Sequence, residues 1–167
     1  MKAKFEITEF DKQTLSALLE TASYGNSSMF DYELSQEASD VAEGEYYCDK
    51  AADALLKGKS ILIYDNSCYE DGYTKDDELP FYGTAGTNWV RTFKHKLEYQ
   101  AWNGETITCY VPGYEITLDT LIKGFNASND SSRNDLMKNL LDEEFEGDMW
   151  DAYNIFQIAV YGEIIYG

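Results

Sequence analysis

The stretch from Asp142 to Gly167 limits the fold more than any other part of this chain. It opens on Asp142, Glu143, Glu144, Glu146, Asp148 and Asp151, with no lysine or arginine among them. It then turns abruptly apolar. Met149, Tyr153, Phe156 and Val160 stand at i, i+4, i+7 and i+11, one face of a helix. Ala152, Ile155 and Ala159 widen that face, so little of the helix beyond Ala152 can stay wet. Asp148 suits its N-cap and Gly162 its C-terminal stop. The expectation is a buried C-terminal helix with dense negative charge at its entrance.

A helix without a wet face needs a substantial shell around it. At 167 residues and 44% apolar, the chain is large enough to supply one as a single domain spanning residues 1–167. Lys2 to Thr8 reads as a first strand, and Asp11 as the N-cap of a helix whose stripe is Leu15, Leu18, Leu19 and Ala22. Tyr24-Gly25-Asn26 ends it, and Phe10 with Leu15 makes a hydrophobic staple. Met29 to Leu34 reads as an irregular strand and Gln36 to Ala42 as a helical turn. Glu45 to Lys57 keeps helical spacing until Gly58, and Ser60 to Asp65 is a short buried strand.

Asn66 to Asn103 is the least regular region, and Leu79 to Asn103 within it reads as an irregular insertion. A short helix from Trp89 to Tyr99 would carry the basic cluster Arg91, Lys94, His95 and Lys96. Thr106 to Val111 is a strand; its lead-in Gly104-x-Thr-Ile-x-x-Tyr echoes Gly58-x-Ser-Ile-x-x-Tyr, which predicts that the two pair antiparallel. Thr117 caps a helix over Leu118 to Gly124, with Ile116 and Leu121 as its staple, and a polar loop follows from Asn126 to Ser132. The order predicts an α+β fold, a small antiparallel sheet packed against several helices.

Catalytic and metal motifs are sparse. Setting Gly72 at the sixth position of a calcium loop puts Asp71 fifth and Glu78 twelfth, but Tyr69 then falls where a carboxylate is needed. That stretch reads as a solvated acidic turn. His95 is the only histidine and is expected on the surface among lysines. Cys48, Cys68 and Cys109 form no CxxC pair, as expected of free thiols in a reducing cytoplasm. The N-terminus has no apolar core of a secretion signal, so a cytoplasmic location is expected. No cofactor and no enzymatic activity are expected; carboxylates with a divalent metal would be an enzyme's only tools.

Charge is the functional clue. There are 31 acids against 13 bases, a net charge of -18, which costs folding energy through self-repulsion and argues against binding nucleic acid or anionic membranes directly. At one charge per ~1.7 Å of duplex, that excess matches about 30 Å of DNA. A domain of this length has a radius of gyration near ~15 Å, so charge and size are commensurate with a short duplex. The candidate partner-binding residues are Asp40, Glu43, Glu45 and Asp49; Glu70, Asp71, Asp76, Asp77 and Glu78; and Asp142, Glu143, Glu144, Glu146 and Asp148. Fourteen tyrosines, among them Tyr46, Tyr47, Tyr69, Tyr73 and Tyr82 between the acids, suit a desolvated interface.

Three blocks carry a family likeness. Trp150 to Gly167, Ala54 to Asp65 and Leu118 to Gly124 resemble recurring pieces of small acidic proteins, uncharacterised as a family, from phages and integrated elements of low-GC bacteria. The resemblance implies a mobile-element origin and, by analogy with the anti-CRISPR and antirestriction proteins such elements carry, an inhibitor. The expected partner is a basic nucleic-acid-binding protein such as a host nuclease complex, met by a monomer or a homodimer. The alternatives are an accessory protein whose charge is incidental and a carboxylate- and metal-dependent enzyme.

Overall fold

The structure is a computed structural model and describes residues 11–22, 30–66, 71–81, 90–130 and 149–161. Among them are five helices and four strands: α1 (Lys12–Ala22), β1 (Phe30–Leu34), α2 (Gln36–Val41), α3 (Tyr47–Leu56), β2 (Ile61–Asp65), β3 (Arg91–Gln100), β4 (Thr106–Ile116), α4 (Leu118–Asp130) and α5 (Met149–Tyr161). The strands form one antiparallel sheet in the order β1-β2-β4-β3. The fold is α+β. The strand over Lys2 to Thr8 lies outside the described residues, as do the staple residue Phe10, the stop at Tyr24 to Asn26, the cap Asp148 and Gly162.

Each helix start is built from its own sequence. Asp11 accepts a bond from the Thr14 amide at 2.8 Å and opens α1; Ser35 takes the Ala38 amide at 3.1 Å and opens α2. At the end of α3 the Gly58 amide bonds to the Leu55 carbonyl and the Lys59 amide to that of Ala54, a Schellman closure. Gly58 sits there at φ 80°, where a side chain is strained. Gly58→Ala is therefore expected to cost about 1 kcal/mol, read as a lower denaturant midpoint at unchanged m-value.

Helix α5 is the keystone. Every residue from Ala152 to Tyr161 is buried, so that stretch of the helix has no solvent face. It packs on α4 and α1 and on the sheet, where Phe156 and Tyr161 meet the Phe30 ring at 6.3 and 5.8 Å between centroids. The Tyr161 ring also meets Tyr114 edge-on at 5.5 Å. Its hydroxyl donates to Asp65 Oδ2 at 2.5 Å, bonding α5 to the end of β2 across 96 positions of chain. Asp65 is wholly buried, so this bond places a carboxylate inside the core. Among the described residues no helix is long and apolar enough to cross a membrane.

Three expectations need correction. In place of the helix expected from Trp89 to Tyr99, Arg91–Gln100 is a strand, so Leu79 to Asn103 contains an edge of the sheet. Its residues alternate, with Phe93, His95, Leu97 and Tyr99 on one side and Lys94, Lys96 and Glu98 on the other. The pairing of β2 with β4 is antiparallel as expected, but its register differs. Ile61 faces Ile116 and Tyr64 faces Gly113, while the echoing segment Thr106 to Tyr110 pairs with β3. Helix α4 runs through Gly124 to Asp130, so Asn126 to Asp130 are helical.

Strand β4 also passes through Pro112, which has no amide to give a neighbour. The amide of Tyr110 points to the β2 side, where it bonds to the Tyr73 carbonyl at 2.9 Å. Pro112, two residues on, faces the same way. Pairing with β2 ends at Gly113, so the missing donor falls just beyond the end of β2.

Candidate functional site

The described acidic residues separate into two groups. Asp40, Glu43, Glu45 and Asp49 lie on α2, α3 and the turn between them, beside β1 at one edge of the sheet. Asp76 and Asp77 lie in a loop tied to the opposite edge, where Lys94 Nζ of β3 donates to the carbonyls of Lys75 and Asp77 at 2.8 and 2.6 Å. Asp71 and Glu78 are exposed on the β2–β3 connection. Glu70, Asp142, Glu143, Glu144, Glu146 and Asp148 lie outside the described residues, as do Tyr69 and Tyr82.

Several of these carboxylates serve the fold. Asp49 accepts from the Ser16 hydroxyl at 2.6 Å and from the Tyr46 amide at 3.2 Å, which joins α3 to α1 and caps α3. Asp77 accepts the Thr74 amide at 2.7 Å. Asp53, outside the expected set, takes the Glu43 amide at 2.8 Å and Lys57 Nζ at 2.9 Å, and these bonds hold its carboxyl below the usual range. Lys57 also approaches Glu43 at 4.0 Å and Lys59 approaches Glu37 at 3.8 Å. Asp40 accepts from Gln36 at 3.1 Å.

What sequence reasoning overlooked is the corner between α1, β1 and α3. Glu20, Asp31, Tyr32, Tyr47 and Cys48 line a cleft of about 210 Å³ there. Tyr32 and Tyr47 stack at 5.5 Å with their planes 24° apart, and the Tyr47 hydroxyl accepts the Leu34 amide at 3.0 Å on the outer edge of β1. Burial, then the charges of Cys48, Tyr47, Asp31 and Glu20, push the Tyr32 phenol far above its usual range. Tyr47 is raised mainly by burial, against the lowering effect of its bond to Leu34. Asp31 and Glu33 alternate with Phe30, Tyr32 and Leu34, so period two along an edge strand was the available signal. Beside the cleft, Tyr46 and Tyr47 are 65% and 50% exposed, next to the exposed Glu43 and Glu45.

The sheet face away from the core helices carries a second cluster. His95 stacks on Tyr64 at 4.0 Å, touches Phe93 edge-on at 6.1 Å and lies 3.7 Å from Glu33. It is no surface residue among lysines, because the strand turns Lys94 and Lys96 to the other side. The ring of Phe93 covers Gly113, where an added Cβ would come within 2.4 Å of it. Trp102, in the β3–β4 turn, is 99% exposed, a position no periodicity marks.

Burial lowers the His95 pKa more than Asp31 and Glu33 raise it. A histidine that binds its proton less readily when folded costs stability as pH falls below the unfolded value of about 6.5. The melting temperature should thus fall between about pH 7 and pH 5, and His95→Tyr should shrink that fall. An equal fall in the variant would assign it to other groups.

Among the described residues no group of three or more His, Cys, Asp or Glu is placed to hold a metal ion. Asp71 and Glu78 are exposed, and Gly72 turns at φ 66° between strands. No protein-family model, curated protein or solved structure matches the chain.

Proposed function

We propose that this chain binds a basic nucleic-acid-handling protein and inhibits it by occupying the groove meant for DNA or RNA. It is read as a phage or mobile-element product acting in the host cytoplasm, with a defence nuclease as the leading partner. The observation that carries this is the α1–β1–α3 corner, where Glu20 and Asp31 line a cleft with Tyr32 and Tyr47, and where Tyr46 and Tyr47 stand exposed next to Glu43 and Glu45. Carboxylates take the place of phosphates toward arginine and lysine, and desolvated tyrosines supply affinity. Buried area and charge work together in such a surface: charge sets encounter rate and register, aromatic anchors set lifetime.

The described candidate acids lie at two sheet edges, which favours the corner over the whole exterior as the contact. The loop at Asp76 and Asp77 belongs to the other edge and is held there by Lys94. Reversing Glu20, Asp31 and Glu33 together to lysine should abolish capture of the partner from host lysate, at least about a hundredfold in affinity. Reversing Asp76, Asp77 and Glu78 should change it by less than about threefold. Both variants should keep the far-ultraviolet circular dichroism of the parent. Equal loss in both, with folding intact, would favour a diffuse electrostatic attraction and an accessory role for the charge.

A further inference from the structure

The two edges of the sheet are finished differently. On β1 the outward amides are taken by side chains, that of Tyr32 by Asp31 Oδ1 at 2.9 Å and that of Leu34 by the Tyr47 hydroxyl at 3.0 Å. Such capping guards an edge strand against further pairing. Strand β3 has ten residues against five in β1, and none of the described strands lies on its outer side. Its hydrogen-bond phase follows from β4: the Tyr110 amide points to the β2 side, so Cys109 and Val111 bond to Leu97 and His95. Thr92, Lys94, Lys96, Glu98 and Gln100 therefore turn their backbone amides and carbonyls outward. Lys96 and Glu98 are both half-exposed and pair within the strand at 3.0 Å, one on each side of Leu97. Beyond the strand, Trp102 is bare to solvent in a fixed turn. Gly104 stands there at φ 84°, the Ala101 amide bonds to the Glu105 carbonyl at 2.8 Å, and Asn103 Oδ1 accepts the Glu105 amide at 3.0 Å.

We infer that β3 pairs antiparallel with β3 of a second copy of this chain, about a two-fold axis at Leu97, and joins two four-stranded sheets into one. Charge selects this register. About Leu97, Lys96 of each copy faces Glu98 of the other. Their outward backbone groups bond to each other, because even-numbered positions then meet even-numbered ones. Lys94 faces the neutral Gln100 and keeps its bonds to the Lys75 and Asp77 carbonyls. An axis at His95 sets Lys94 against Lys96, one at Lys96 sets that lysine against its own copy, and one at Glu98 does the same with carboxylates. Each neighbouring register is thus repelled by like charges directly opposite. On the face away from the core helices Leu97, which packs on the Tyr64 and Val111 cluster, meets Leu97 of the second copy. The turn with Trp102 comes beside Phe93 and Arg91 of the second copy, a ring and a guanidinium for the indole to cover. Strand β1 and the α1–β1–α3 corner lie at the far ends of the joined sheet, so the inference goes beyond the proposed inhibition and does not depend on it.

Sedimentation equilibrium of the full chain, at loading concentrations from about 5 to 500 µM, measures the pairing directly. Salt at about 0.3 M shortens the screening length below ~8 Å, which damps the repulsion between two chains of net charge -18 and leaves charges in contact their attraction. The parent should dimerise reversibly within that range. Lys96→Glu opposes carboxylates at both symmetry-related pairs and should weaken the dimer at least about tenfold. Glu98→Lys gives the same reading from the other charge should Lys96→Glu perturb the strand. The exchange of Lys96→Glu together with Glu98→Lys restores opposite charges and should return the affinity to within about threefold of the parent. That recovery is specific to the axis at Leu97, because only there do positions 96 and 98 face each other. Both positions are half-exposed, so circular dichroism should be unchanged in each variant. A parent that stays monomeric throughout, a dimer indifferent to both single reversals, or no recovery in the exchanged pair would overturn the inference.

Discussion

Phe156→Ala should lower the free energy of unfolding by about 3–5 kcal/mol. Phe156 is 1% exposed, in a helix whose described side chains are all buried, and its ring meets Phe30 of the edge strand β1. Removing it takes away the transfer free energy of the ring and leaves a cavity between helix and sheet. Collapse into that space is hindered because α1, α4 and the sheet all press on α5. Domains of this size hold only about 5–15 kcal/mol in total, so a loss of this order removes a third or more of the reserve. Chemical denaturation should show the midpoint falling at constant m-value. A cost under about 1 kcal/mol would mean that α5 is not the centre of the core.

Tyr161→Phe is the second large effect, and its origin is polar. The hydroxyl removed donates to the wholly buried Asp65. Taking away one donor from a buried carboxylate costs about 1–3 kcal/mol, toward the upper end when the acceptor is charged. Asp65→Leu should also destabilise, by leaving the Tyr161 hydroxyl without this acceptor. The double variant should recover part of the loss, because both ends of the bond are then gone. Additive losses, with no coupling above about 0.5 kcal/mol, would show that the contact contributes little.

These two residues also mark how much of the molecule could be read from its letters. Burial of α5 was legible because apolar residues occupy every side of it, and no solvent-facing stripe competes with that pattern. Helix α1, strand β2 and the Gly58 stop were legible for the same local reasons: a cap, a period and a glycine. Strand β3 was not, because Lys94, His95 and Lys96 stand together in sequence and resemble a helix surface. The alternation of Phe93, His95, Leu97 and Tyr99 carries the answer, but on an edge strand it is diluted by partial exposure.

Register failed for a different reason. The likeness between Gly58 to Tyr64 and Gly104 to Tyr110 is local, whereas pairing follows from which residues must share the core face. Ile61 and Ile63 pair with Ile116 and Tyr114, all buried, and this match outweighs the echo. Gly124 does not end α4: a glycine ends a helix where φ turns positive, as at Gly58, and Gly124 is not among such residues. The cleft was invisible because Glu20, Asp31 and Tyr47 come from three elements that only the fold brings together. Acidic tracts drew attention to Asp49 and Asp77, yet both carboxylates bond within the fold.

The proposed inhibition requires a carboxylate and tyrosine corner to stand in for nucleic acid. The most direct measurement is the affinity of the chain for its purified partner, taken from roughly 50 to 500 mM salt with and without a short duplex as competitor. Affinity should fall by about tenfold or more across that range, and the duplex should displace the chain from a shared groove. An affinity flat in salt, with duplex and chain bound to the partner together, would contradict the account.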